Sequence, residues 1–485
     1  MKKNETNQFC LDLLLTFPGG KALANLVMAL SSHDCKSVVE LSESPLYHYQ
    51  YSSIYKSIKI LLGSDKKKTK LTKQIQKLCV DYSNLSQADF ALFALDLTPV
   101  VKYHSKVLKD HHTIAVPNRR LPGVKPLSIG YNYSFINWQD TESGWSLPLS
   151  SHRVGINENN NEAAAKQLRS LVTDPSLPFH KMSLVVSVLD SGYLSPYYLE
   201  HTKSIENLVS IIRMRPSMKV FAQPSKDQSS KAIYGKRLYL IEQSGDKEYT
   251  KHPTTKQAYK VWQDAITEIP PGEQKVLDQN LANGRAVKIH LSYWKNMLLR
   301  TKDGISMQDK PFNVLSVIVK DAQTGEKVFK TPMYLGVFNS QKDQISIEDV
   351  LTYYLQRNGI EGFFRQAKQK MHMNNYQPLS EQNLDNWMWM IQLASWLLYT
   401  AKDQVENCPK KWQKYNKSEQ TEKGQILTIS QTRKGMEDHL LSFDPAPFVC
   451  RKSKGGPGRR KGQTQGNRKE HKHGKKDTKK GIDSS

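Results

Sequence analysis

Residues 353–370 read YYLQRNGIEGFFRQAKQK and carry Tyr354, Arg357, Glu361 and Lys368 at steps of three, four and seven. At about 100° per residue, a helix brings all four side chains within an arc of roughly 60°. One carboxylate is thereby flanked by a phenol, a guanidinium and an ammonium along a single stripe. Ile360, Phe364, Ala367 and Met371 form a neighbouring apolar face able to dock the helix on a core. A lone acid among cations suits a site where a metal and a phosphodiester are held together. The cations grip phosphate oxygens and the carboxylate takes the metal. Charged residues on an amphipathic helix also make an ordinary solvated face, and spacing alone leaves both readings open.

The pattern Tyr-x2-Arg-x3-Glu-x6-Lys is complete at these four positions. It resembles the signature of a large group of bacterial insertion-sequence transposases, the Asp-Asp-Glu cut-and-paste type with an RNase H-like core. The resemblance implies an α/β fold and two aspartates upstream, each at the end of a buried strand. Both are present. ADFALFALD (88–96) is a short apolar run ending in Asp96, and MSLVVSVLD (182–190) ends in Asp190. The second run is continuous rather than alternating, as in a strand covered on both faces. The turn signal Asp190-Ser-Gly-Tyr193 would leave the carboxylate at the strand's C-terminal edge, where sites on such sheets collect. Alone, each aspartate reads as well as a solvated strand terminus or a helix cap. Their pairing, in the order that the Glu361 helix requires, is what matches the resemblance.

On that resemblance, Asp96, Asp190 and Glu361 are the catalytic residues and hold two divalent ions. Mg²⁺ fits because it takes hard oxygen ligands and keeps waters, and Mn²⁺ can substitute. Arg357 and Lys368 would clamp phosphates near the cut, and Tyr354 would hydrogen-bond to one. Some relatives cut by way of a DNA hairpin and flip a base onto an aromatic side chain. Trp294 is a candidate platform for that step, although a tryptophan here equally belongs to a core.

The charge balance agrees with a polyanionic partner. The chain has 485 residues, with 70 Lys plus Arg against 46 Asp plus Glu, a net of +24. This surplus favours nucleic acid before membrane. No apolar run approaches the ~18 residues needed to span a bilayer. Asp12 interrupts the apolar stretch after Lys2 and Lys3, against a signal peptide. Cys10, Cys35, Cys79, Cys408 and Cys450 are scattered without a Cys-x-x-Cys pair, which fits a reducing cytoplasm. His111 and His112 lie in a polar stretch and are expected to be exposed.

Length allows about three domains. Residues 1–85 read as an N-terminal helical domain for DNA binding. CKSVVELS (35–42) is amphipathic, and SSIYKSIKILL (52–62) starts at a Ser-Ser cap. The pair resembles a helix-turn-helix, with Lys56 and Lys59 on the exposed face of the second helix. DNA-end recognition and a purely structural cap are both open there. The lysine-dense stretch 66–77 is expected to be a solvated linker. Residues 86–215 form the first part of the RNase H-like core, with strands 88–96, 126–138 and 145–150, a helix at 160–172, the Asp190 strand, a helix near 194–204 and a strand at 207–215. Residues 216–340 read as a β-rich insertion. Residues 341–408 return to the core with the catalytic helix, opened by a capping box at Ser346 and Asp349, and a second long helix at 380–404. Asn358-Gly359 could kink the catalytic helix or allow close approach to DNA.

Residues 409–485 form a basic tail, expected to be largely disordered. Its last part, 451–485, holds 13 Lys and Arg against 3 acids and cannot bury a core. The chain without it keeps +14 of the +24, so the basic character is not confined to the tail. The function implied is a DNA transposase that binds the ends of its insertion sequence and catalyses cleavage and strand transfer. It would act as a homodimer on double-stranded DNA in the bacterial cytoplasm. A catalytically silent transposase-derived DNA-binding protein and a nuclease on the same fold are the alternatives.

Overall fold

Continuous runs of Val, Leu and Ile build the centre of the molecule, a large mixed sheet, in the computed structural model of the chain. The structure describes residues 5–17, 19–63, 65–116, 126–224, 232–249, 259–281, 283–300, 307–408, 426–442, 470–472 and 474. Helices α1 (Glu5–Thr16), α2 (Gly20–Ser32), α3 (Tyr51–Ile60) and α4 (Asp65–Asp81) precede the sheet. The next elements are β1 (Phe90–Val101), β2 (His112–Ala115), β3 (Leu127–Gln139), β4 (Ser146–Val154), α5 (Asn160–Val172), β5 (Leu184–Leu189), α6 (Pro196–Thr202) and β6 (Leu208–Met214). There follow β7 (Lys219–Phe221), β8 (Arg237–Tyr239), β9 (Gly245–Tyr249), β10 (Tyr259–Gln263), β11 (Glu273–Asn280), β12 (Ala286–Met297), β13 (Phe312–Asp321) and β14 (Met333–Phe338). The chain closes with α7 (Ile347–Gln356), α8 (Gly359–Gln369), α9 (Glu381–Thr400) and α10 (Ile429–Leu441).

The fold is mixed α/β. The sheet runs β11-β12-β13-β14-β6-β5-β1-β3-β2, with β4 also paired to β3. Strands β1, β5 and β6 are parallel, and β3 and β4 are antiparallel to their neighbours. α5 connects β4 to β5, and α6 connects β5 to β6. The region expected as a separate β-rich insertion continues this sheet, because β14 pairs antiparallel with β6. In its Asp321–Gly325 turn, the Asp321 carboxylate accepts the Gln323 and Thr324 N–H groups, and Gly325 adopts φ +70°.

Helix α9 is apolar nearly all round and is accordingly buried on all sides, packed on β4, α2 and α3. Trp396 stacks on Trp138 at 5.9 Å and donates its indole N–H to the Pro148 carbonyl. One apolar cluster runs from Phe9 to Leu440, so helices α1–α3 share the core of the sheet.

Several N-terminal readings need correction. Residues 39–43 form a 3-10 turn and not an α-helix, because the Glu40 carboxylate is taken by the Lys36 N–H and the Ser37 hydroxyl. A helix-turn-helix pair is therefore absent from the described residues there. α3 starts after Gln50, which caps it without a side-chain bond, and Ser52 and Ser53 lie inside the helix. Stretch 66–77 belongs to α4 and is no linker: Leu71, Ile75 and Leu78 lie at helical spacing under the lysines. His111 and His112 are buried, since His112 opens β2 and the His111 imidazole sits 2.7 Å from the Leu108 carbonyl.

The tail reading also changes within 409–485. α10 opens on a capping box at Thr428 and Gln431 and buries Met436 and Leu440. Arg433 is buried in the same helix and donates to the carbonyls of Leu30 (2.6 Å), His33 (2.7 Å) and Lys370 (3.3 Å). It thereby caps the C-terminal end of α2, where carbonyls lack helical partners. Most of 451–485 and its expected disorder lie outside the described residues. Arg433→Met should cost about 2–3 kcal/mol, since buried carbonyls lose a charged donor. Urea unfolding checks this, and an unchanged midpoint would mean that α10 contributes nothing to the core.

Candidate functional site

Parallel pairing of β1 with β5 aligns Leu95 with Leu189. The next residues, Asp96 and Asp190, therefore stand side by side on neighbouring strands, which run about 4.8 Å apart. Asp190 is at its strand's end, as read from the sequence. Asp96 is not, because β1 continues to Val101 along β3. Only its β5 neighbour stops there.

Asp190 caps the following turn by accepting the Ser191 N–H at 2.6 Å. Asp96 accepts the Leu97 N–H at 2.8 Å on one oxygen and Arg357 Nη2 at 3.0 Å on the other. Burial pushes the Asp96 carboxyl up from the usual range, Arg357 and the Leu97 N–H oppose this, and Asp190 and Glu361 add to it.

The catalytic helix expected from the sequence is two helices. α7, capped at Ser346 as expected, ends at Gln356, and α8 begins at Gly359. Gly359 packs closely at the break: a Cβ on it would sit 2.7 Å from Gln139 Oε1 and 3.1 Å from Ser146 Cβ. Close approach at Asn358-Gly359 is thus to β3 and β4. Ile360, Phe364, Ala367 and Met371 are buried, the face read from the sequence.

Despite the break, Arg357 reaches Asp96, and Glu361 and Lys368 lie near enough to interact electrostatically with the same carboxylate. Glu361 is exposed in the first turn of α8. Tyr354 is buried, which raises its hydroxyl pKa, and it hydrogen-bonds with Arg213 of β6. Lys368 is half-buried, with Nζ 5.8 Å from the centre of the Phe364 ring. Burial lowers its pKa and the Asp96 carboxylate opposes this. Arg213 and Tyr193 were not singled out in the sequence. Tyr193 is buried with an unpartnered hydroxyl, close enough to Asp96 that the carboxylate raises its pKa after burial does. Their signal was position alone: Tyr193 closes the turn after Asp190, and Arg213 is the exposed residue near the end of β6.

Three other candidates lie elsewhere. Trp294 is 3 % exposed in β12, and its indole donates to the Ile269 carbonyl at 2.8 Å. It is a packed core residue here, as its buried place in the sheet dictates. Lys56 and Lys59 are exposed on α3, whose Ile54 and Ile58 face the core.

The donor set of Asp96, Asp190 and Glu361 is all carboxylate oxygen, the chemistry that hard divalent cations select. Among the described residues, no group of three or more His, Cys, Asp or Glu is gathered at metal-holding distances. Arg357 holds one Asp96 oxygen, so a cation there would share or displace it. The described residues contain no helix long and apolar enough to cross a membrane. No protein-family model matches the chain, and no curated protein matches it.

Replacing Arg357 by Gln removes the main attraction that holds the Asp96 carboxylate charged. Its folded-state pKa, already raised, should rise further. A carboxyl raised on folding stabilises below its unfolded pKa and loses this as pH climbs through the folded value. The variant's deficit in melting temperature should therefore be largest at neutral pH and shrink on acidification. A deficit independent of pH would overturn the coupling.

Proposed function

We propose that the chain is an Asp-Asp-Glu DNA transposase with an RNase H-like core, acting on the ends of its own insertion sequence. The observation that carries this reading is the meeting of Asp96 and Asp190 with the Tyr354–Arg357–Glu361–Lys368 set, from three separated segments. The strand order supports it too. β4-β3-β1-β5-β6, with an antiparallel meander, a parallel remainder and helices between β4, β5 and β6, is the arrangement that an RNase H-like core requires.

In this reading Asp96, Asp190 and Glu361 hold Mg²⁺. Bound there, the metal supplies Lewis-acid activation of the attacking water or 3′-hydroxyl and of the leaving oxygen. The protein's residues do the rest. Arg357 keeps the Asp96 carboxylate ionised and oriented, and it has a second guanidinium face for a phosphate. Lys368, near Asp96, and Arg213, bonded to Tyr354, are the cations that would meet a phosphodiester backbone. Tyr354 donates its hydroxyl hydrogen. Lys56, Lys59 and the basic tail bind DNA further along, and the active form is a homodimer on double-stranded ends in the bacterial cytoplasm. A catalytically silent DNA-binding protein is the second reading, favoured by the direct Arg357–Asp96 pair.

The test uses DNA carrying the inverted repeats that flank the gene. Asp96→Asn, Asp190→Asn and Glu361→Gln should each abolish Mg²⁺- or Mn²⁺-dependent cleavage and leave binding of the ends within about threefold, because a lost metal ligand leaves the phosphate contacts in place. Wild-type-like cutting by Glu361→Gln would remove that residue from the site, and a wild-type protein without cleavage would favour the silent reading. Lys368→Ala should instead shallow the dependence of binding on salt by about one unit of slope, with the Mg²⁺ requirement unmoved. An unchanged slope would assign Lys368 to a solvated face.

A further inference from the structure

The outer edge of β2 carries a piece of the chain's own basic tail. His471 donates its backbone N–H to the Lys106 carbonyl at 2.9 Å, and Gly474 donates to the His111 carbonyl at 2.9 Å. His112 and Gly474 form a parallel bridge. The Glu470 carboxylate meets Lys106 Nζ at 3.6 Å. A Cβ on Gly474 would meet the tip of the Ile156 side chain, so a larger residue there requires Ile156 to move. β2 ends the sheet path, and an end strand presents N–H and C=O groups that an extended segment can pair with.

The tail sequence specifies the register. Glu470 is the one acid between Arg451 and Lys476, and it lands on Lys106. The nearest other glycines are Gly466 and Gly481. A slip of one residue would set Lys469 or His471 against Lys106, and His473 or Lys475 against Ile156. Neither neighbour restores both the opposite charge and the missing side chain. The entropic cost of tethering Glu470 to Ser442 through the 27 intervening residues grows only slowly with their number.

We propose that the edge of β2 is a binding site for an extended basic segment, and that its resident ligand is Glu470–Gly474 of the same chain. The tail is then a strap, fastened at the end of the sheet toward which β1 runs beyond Asp96. It also masks an edge that would otherwise pair with another chain. The strap is independent of the DNA reading.

The experiment uses the full chain and a full-length His471→Pro/Gly474→Pro variant, which loses both backbone donors and no formal charge. In the wild type, the amides of His471 and Gly474 should exchange with deuterium about tenfold or more slower than an unstructured chain of that sequence, and trypsin should cut after Lys472 more slowly than after Lys476. In the variant, which has no amide hydrogen at either position, the tryptic difference should vanish. A synthetic peptide of residues 466–478 should bind the variant, whose edge is open, and not the wild type. The same peptide with both prolines should bind the variant about tenfold or more weakly, as expected when two main-chain donors are removed. Random-coil exchange at His471 and Gly474 in the wild type, or equal binding of the two peptides, overturns the proposal. Protection that disappears on dilution of the protein assigns the occupant to a second copy and overturns the assignment to the same chain.

Discussion

Two carboxylates on adjacent parallel strands repel each other, and the molecule around them is arranged to hold them there. The register of β1 on β5 leaves no freedom: once Leu95 pairs with Leu189, Asp96 and Asp190 are neighbours. Like charges side by side and half-buried are held by a cation between or beside them. Arg357 answers that need from the C-terminal end of α7, with Nη2 3.0 Å from an Asp96 oxygen. Phe363 and Phe364 of α8 pack on Phe135 of β3.

The backing of this arrangement is α9. It fills the space between β4 and helices α2 and α3, and its polar residues serve as anchors. Asp385 receives Tyr133 (2.8 Å), Arg153 (3.0 Å) and Lys68 (3.3 Å), tying β3, β4 and α4 to one carboxylate. Asn386 donates to the Ile58 carbonyl at the end of α3. Lys102, buried and with its pKa pushed down to about 7 by that burial, donates to the Asn374 and Met373 carbonyls. The loop between α8 and α9 is thereby clipped to the chain just beyond β1. Elements far apart in sequence thus fix the acid-bearing strand and the cation-bearing helices relative to each other.

The two extremes of the sheet are managed differently. On the β6 side, β14 and its neighbours extend the sheet, so the polar-faced strand β11 forms that margin. On the β3 side, the short strand β2 is met by the tail segment at Glu470–Gly474. α10 and its buried Arg433 stitch the chain's C-terminal part to the ends of α2 and α8 before the tail begins.

The elements of the sheet were legible in the sequence wherever burial is two-sided, because such strands must be continuously apolar whatever surrounds them: β5, β6 and β13 are the plain cases. Of the candidate set, the sequence placed Asp190 correctly at a strand end and Asp96 wrongly, since β1 runs on to Val101. The break at Asn358-Gly359 was half legible, since the dipeptide signals a turn but not that β3 and β4 approach it. What the sequence could not decide was anything set by a distant partner. The lysines of α4 hide an apolar stripe that matters only once a core exists to receive it. His112 is buried because β3 lies beside it, and Trp294 because its strand joins the central sheet. The meeting of Arg357 with Asp96 was out of reach for the same reason. Local pattern records which face of a segment is apolar, whereas the partner of a charge depends on contacts across hundreds of residues, and only the folded chain brings those together.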